Sequence, residues 1–294
     1  MTLSPTVLRG RDRYERLMEG WTDSVHADAL THTVRLADPD RTIELRVVAL
    51  PPPDYVIREA LARVVAGTVD QAVIDAVPGL AGVAMVAGLT RAVADRVGRG
   101  AGAALIVDAA IEVARLARQV AKLPREMAER AAGGDSLACW ELDTTGWVDL
   151  PDSCFTYSAA GRALFGTRTV VSPMRPDLYS PRLGQERVFV RRKVARLERA
   201  ADRLHLFHSM HDNVHGFDLT YEIDAVSGRI VRADSVTSRL PYAGICSEPQ
   251  ARINALLGET VDAGLRKRLS GHVGGAGGCA QLFDLTADAL KLLA

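Results

Sequence analysis

The residues best suited to chemistry gather around His215. It follows Asp212 at a spacing of three, and a carboxylate there can fix the tautomer of an imidazole and raise its basicity, as general acid–base catalysis requires. Tyr242 supplies a phenol that can donate a proton. Cys246 and Cys279 supply thiols that would serve as pocket walls or, once ionised, as a nucleophile. Cys279 follows Gly277-Gly278 at the expected start of the last helix, where the helix dipole lowers a thiol pKa. His205, His208 and His211 precede this group. On a strand, His205, His211 and His215 would share one face and His208 and Asp212 the other. Three or four such ligands around one point would hold a zinc or iron ion, although no local H-E-x-x-H spacing supports one.

These residues sit in the second of two similar stretches. Asp23-Ser-Val-His26 with Leu30-Thr31 answers Asp212-Asn-Val-His215 with Leu219-Thr220. Leu50-Pro51 answers Leu240-Pro241, Glu59 answers Glu248, Thr68-Val69-Asp70 answers Thr260-Val261-Asp262, and Val97–Gly102 answers Val273–Gly278. One long repeat predicts two similar folded units rather than a solenoid. The expected organisation is an N-terminal copy over residues 1–132, a connecting segment over 133–185 and a C-terminal copy over 186–294. Residues shared by both copies serve the fold on this reading. Those present in one copy, such as both cysteines, are the candidates for function.

The expected fold class is α+β, with antiparallel hairpins followed by helices in each copy. In the C-terminal copy, Arg187–Leu197 with Leu204–Met210 and Leu219–Val226 with Arg229–Val236 read as two hairpins, the second around Ser227-Gly228. In the N-terminal copy, Thr31–Leu36 and Thr42–Val48 flank a turn at Asp38-Pro39-Asp40. Helical spacing is read over Val56–Ala66, Leu80–Val97 and Ala103–Ala132, the last an Ala-rich helix for packing or homo-oligomer assembly. The connecting segment holds Trp140, Trp147, Phe155, Tyr157, Phe165 and Tyr179 among several prolines. It reads as an ordered cover over a pocket.

Lys plus Arg and Asp plus Glu both number 36, so no net field draws the chain to nucleic acid or acidic membrane. The arginine-rich run Arg187, Arg191, Arg192, Lys193, Arg196, Arg199 and Arg203 reads as a solvated strand edge. The apolar run from Ala76 to Leu89 is too short to span a membrane and reads as a buried helix. With no signal peptide and scattered cysteines, the expected location is the cytoplasm. Val97–Gly102 follows a helical stretch rather than a strand, so the dinucleotide glycine loop is excluded.

The C-terminal copy resembles a bacterial family called Domain of Unknown Function 2889. Val214-His215, the hairpin Asp224 to Ile230, Leu240-Pro241-Tyr242-Ala-Gly-Ile-Cys246, Leu257-Gly258 and Gly277-Gly278-Cys279-Ala280-Gln281-Leu282 carry the resemblance. Gln281 stands where that family usually has histidine. The order of elements is also similar to the NifU-type iron–sulfur scaffold proteins. That similarity implies that Cys246 and Cys279 approach His215, although the scaffold's additional cysteine has no match. The resulting expectation is a cofactor-independent acid–base enzyme, a lyase or isomerase, acting on a hydrophobic or aromatic small molecule. A thiol- or metal-binding module using His215, Cys246 and Cys279 is one alternative, and a non-catalytic small-molecule-binding protein another.

Overall fold

The computed structural model describes residues 3–147 and 149–293. It is a mixed α and β structure built on one antiparallel sheet of eight strands. The strands are β1 (Arg13–Ser24), β2 (Leu30–Ala37), β3 (Thr42–Ala49), β4 (Ile57–Ala66), β5 (Gln185–Ala200), β6 (Arg203–Asp212), β7 (Gly216–Asp224) and β8 (Ile230–Arg239). The helices are α1 (Gln71–Ala76), α2 (Leu89–Val97), α3 (Ala103–Ala117), α4 (Arg125–Ala132), α5 (Ser136–Gly146), α6 (Ala159–Ala163), α7 (Pro176–Tyr179), α8 (Leu265–Val273) and α9 (Ala280–Leu290). Three-residue to nine-residue 3-10 turns link several of them.

The strand order is β4-β3-β2-β1-β5-β6-β7-β8. Each run of four strands is a meander, and the two runs join edge to edge where β1 pairs antiparallel with β5, Tyr14 opposite Leu197 and Gly20 opposite Arg191. The two stretches therefore build one continuous sheet rather than separate ones. α3 packs on β1, β2 and β3, and α9 packs on β6 of the same sheet face. Strand alternation supplies that face. Along β7, Phe217, Leu219, Tyr221 and Ile223 are buried while Asp218, Thr220, Glu222 and Asp224 are partly exposed. At Gly20 the approach of α3 is so close that a Cβ would lie 2.8 Å from Leu116 Cδ1.

A buried ionic cluster ties the halves together at the seam. Lys193 on β5 donates to Glu112 on α3 at 2.8 Å. Arg115 on α3 pairs with Glu112, with Asp284 at 3.1 Å and with Asp288 on α9. The opposite sheet face is open and carries partly exposed ion pairs such as Arg196–Glu15 and Arg192–Glu19. Each of these is worth little in water.

Several elements depart from the sequence reading. Val56–Ala66 is not a helix but the edge strand β4, whose Leu45↔Ala62 and Val47↔Ala60 pairs bury its small side chains. Tertiary pairing overrides the helix preference of its Glu-Ala-Leu-Ala-Arg run. Ala103–Ala132 is broken between α3 and α4, with Pro124 preceding the first turn of α4. Ala76–Leu89 is a 3-10 turn followed by loop, with Gly82 and Gly88 at positive φ. Among the described residues no helix is long and apolar enough to cross a membrane.

The strand order does not set the two Asp-x-Val-His stretches in matching places. His26 lies between β1 and β2, whereas His215 lies between β6 and β7. The place matching the β6–β7 turn is the β2–β3 turn. There Asp38 Oδ1 accepts from the amides of Asp40 at 2.9 Å and Arg41 at 2.8 Å. Asp212 Oδ1 accepts from Val214 at 2.7 Å and His215 at 2.6 Å in the same pattern. In both turns the aspartate amide also donates back across the loop, to the carbonyl of Arg41 or of His215, at 2.9 Å. Asp23 and His26 therefore do not occupy the same place in the sheet order as Asp212 and His215.

Candidate functional site

Asp212 ends β6 on the helix-facing side of the sheet, and its turn folds His215 back over it. Asp212 Oδ2 accepts from Arg191 Nε at 2.9 Å, and Arg191 Nη2 lies 2.7 Å from the same oxygen. Both side chains are fully enclosed, at 0% exposure each. Burial disfavours the Asp212 carboxylate, but the charges of His215 and Arg191 and the turn amides outweigh it and hold the group well below the usual carboxylate range. His215 Nδ1 lies 3.2 Å from each Asp212 oxygen. That contact commits Nδ1 and leaves Nε2 for the cavity that His215 lines.

The cavity is about 130 Å³. Its floor comes from Val214, His215 and Phe217, and its rim from Leu240, Pro241, Cys246 and the start of α9. The connecting segment closes it through Asp143, Trp147, Leu150, Cys154, Thr156, Tyr157 and Met174. That segment is more than loop, because α5 carries Asp143. Asp135 caps α5 by accepting from the Ala138 amide at 3.0 Å.

Asp143 is the site residue that sequence reading missed. It is 2% exposed and takes three phenol hydroxyls, from Tyr157 at 2.7 Å, Tyr179 at 2.8 Å and Tyr242. Burial pushes its carboxyl up to about 6, against the pull of those three donors. Tyr242 was expected as a proton donor to substrate. Its hydroxyl is instead committed to Asp143, and its side chain is fully buried outside the cavity lining, so it positions the carboxylate. The only early signal for Asp143 was the density of tyrosines in and beyond the connecting segment.

Three of the four cysteines, Cys154, Cys246 and Cys279, line the cavity. Cys279 caps α9, with the Leu282 amide 3.4 Å from its sulfur. The expected lowering of its pKa does not occur, because burial pushes the thiol up to about 11. Burial likewise pushes Cys246 up to about 12, with Thr156 Oγ1 3.0 Å from its sulfur. Both are un-ionised walls near neutral pH. His205 and His211 project from the open sheet face, and His208 projects under α9 with Nδ1 2.8 Å from the Leu285 carbonyl oxygen. His215 lies off the strand, so the expected three-histidine face does not form. Among the described residues no group of three or more His, Cys, Asp or Glu side chains is arranged to hold a metal ion. Arg191 and Lys193 also depart from expectation, being buried partners of Asp212 and Glu112 rather than solvated edge charges.

The buried histidines predict a pH dependence of stability. Burial lowers His32 to about 3 and His208 to about 4. An unfolded histidine takes a proton near 6.5, so each of these groups removes stability as pH falls below that value, about 1.4 kcal/mol per pH unit. Asp143 works in the opposite sense: its raised carboxyl adds stability as pH falls from about 6 toward 4. Denaturant titrations should show a net loss of about 2–3 kcal/mol from pH 7 to 5. Equal stability at the two values would mean that His32 and His208 protonate in the folded state.

No curated protein and no solved structure matches the chain. The matched region described next holds Asp212, His215, Tyr242, Cys246 and Cys279, whereas Arg191 and Asp143 lie before it. Residues 196–293 match the model of the family described as Protein of unknown function (DUF2889).

Proposed function

We propose that the chain is a cofactor-independent acid–base enzyme of the lyase or isomerase type, acting on a hydrophobic small molecule. The observation that carries this reading is one cavity lined by both His215 and Asp143, two titratable groups in contrasting surroundings. His215 is backed by a permanently ionised carboxylate. Asp143 is a carboxyl lifted to about 6, close to a working pH, where proton transfer in either direction is efficient. One group would take a proton from carbon while the other delivers one to oxygen or carbon, and solvent would reset the pair. Asp212 orients His215, Arg191 anchors Asp212, and Tyr179 and Tyr242 hold Asp143. Un-ionised thiols argue against a thiolate nucleophile.

The test needs no prior substrate. A panel of hydrophobic molecules with acidic C–H bonds is incubated in D2O and followed by NMR. The wild type should wash deuterium into at least one, and Asp143→Asn should slow this at least ~100-fold. A panel on which Asp143→Asn matches the wild type removes Asp143 from the chemistry. Binding without any exchange would favour the non-catalytic alternative.

The two halves also read as copies of one unit that share one sheet. The sheet order is symmetric about the β1/β5 pair, and the Asp38 and Asp212 turns have the same hydrogen bonds. On this reading Arg41 occupies the place of His215, so only the second turn offers a proton-transfer group. An experimental structure in which β1–β4 with α3 fails to superpose on β5–β8 with α9 would remove the idea.

A further inference from the structure

We infer that the cavity takes a neutral, single-ring molecule bearing one hydroxyl, carbonyl or amide group, and that it rejects carboxylates. This rests on the reading that the His215–Asp143 cavity is the substrate site. Size is the first argument. At about 130 Å³ the space is close to the ~150 Å³ apolar cavity known to admit one benzene ring. The walls suit such a ring: Leu150, Met174, Val214, Phe217, Leu240 and Pro241 present carbon or sulfur to it.

Charge is the second argument. Among the described lining residues Arg118 alone carries a permanent positive charge, and three of its five N–H donors are taken, one of them by the Asp149 carboxylate. Nε bonds Asp149 Oδ2 at 2.8 Å, Nη1 the Ala114 carbonyl at 3.2 Å and Nη2 the Met85 carbonyl at 3.0 Å. Its guanidinium also stands 5.1 Å over the Tyr55 ring. Behind the wall, Arg191 is matched by Asp212. A ligand carboxylate would thus lose its water, meet a cation already paired with Asp149 and face Asp143, a poorly compensated burial that is unfavourable. A neutral polar group meets no such penalty and can hydrogen-bond to His215 or Asp143, or to the amides of Gln119 and Gln281 that also line the space.

The probes are benzamide, benzoate and 2-naphthamide, titrated into the whole chain at pH 7.5 with ligand-observed NMR. Benzamide and benzoate share one shape and differ in charge. Benzamide and 2-naphthamide share one polar group and differ by a ring. Benzamide should bind at least ~10-fold more tightly than either. Leu240→Trp, which fills the cavity from a partly buried rim position, should weaken benzamide at least ~10-fold with the melting temperature unchanged. Benzoate binding as tightly as benzamide overturns the charge argument, and 2-naphthamide binding as tightly overturns the size argument. Failure of all three to bind, or benzamide binding unaffected by a folded Leu240→Trp, overturns the assignment of the cavity. The outcome is separable from that of the proposed chemistry. A chain that prefers benzamide yet exchanges no deuterium keeps this inference and loses the enzyme reading.

Discussion

His215→Ala should abolish solvent exchange into the substrate while leaving the melting temperature within a few degrees of the wild type. The loss of rate should be on the order of 10²–10⁴, the range supplied by a positioned acid or base. Stability should survive because Asp212 keeps its other partners. Arg191 still pairs with one carboxylate oxygen, and the amides at positions 214 and 215 still bond the other. The imidazole contacts at 3.2 Å are the longest in the set and the easiest for water to replace. Asp38 offers the control, since its turn has the same amide bonds but closes on Arg41. Arg41→Ala should leave exchange untouched. If His215→Ala melts far below the wild type and its folded fraction still exchanges at full rate, His215 is a fold element and the chemistry lies elsewhere.

Asp212→Ala should be among the most damaging single changes in the chain, about 3–5 kcal/mol. It leaves the Arg191 guanidinium, at 0% exposure, with no counter-charge, and it removes the acceptor of two turn amides. Arg191 Nη1 already lacks a hydrogen-bond partner, so nothing nearby compensates. Asp38→Ala removes the matching turn bonds at a partly exposed site with no buried cation behind it. Its cost should be about 1 kcal/mol. Urea denaturation of both variants reads the difference directly. Equal losses would place the stabilisation in the turn rather than in the buried ion pair.

The parts of the fold that were legible in the sequence are those where a local pattern and the tertiary structure agree. The alternation through Phe217, Leu219, Tyr221 and Ile223 announces β7, and Ser227-Gly228 announces the turn before β8. The β4 stretch failed because Ala and Leu at helical spacing also fit a strand whose buried partners, Leu45 and Val47, are distant in sequence. β1 went unread because Arg13, Glu15, Arg16 and Glu19 look solvated, although Tyr14, Met18 and Gly20 are buried. The matching stretches were visible, and identities set Asp23–His26 against Asp212–His215. Hydrogen-bond pattern and strand order set Asp38–Arg41 there instead.

The site was half legible for the same reason. Asp212 and His215 lie three residues apart, and the sequence motif is the contact. Cys246 and Cys279 also reach the cavity, but their burial, which decides their ionisation, depends on Thr156 and the connecting segment. Asp143 gave no local sign. Its character comes from Tyr157, Tyr179 and Tyr242, which converge on it from three separate places in the chain. Arg191 reads as one basic residue of seven until the register places it opposite Asp212.

The central claim is that a carboxyl poised near neutrality shares the cavity with His215. Carbon-13 NMR of the Asp143 side-chain carboxyl across pH 4–8 tests it without any substrate. The expected midpoint is about 6. A carboxyl that stays ionised down to about pH 4 would show the three phenols outweighing burial and would contradict the acid–base account.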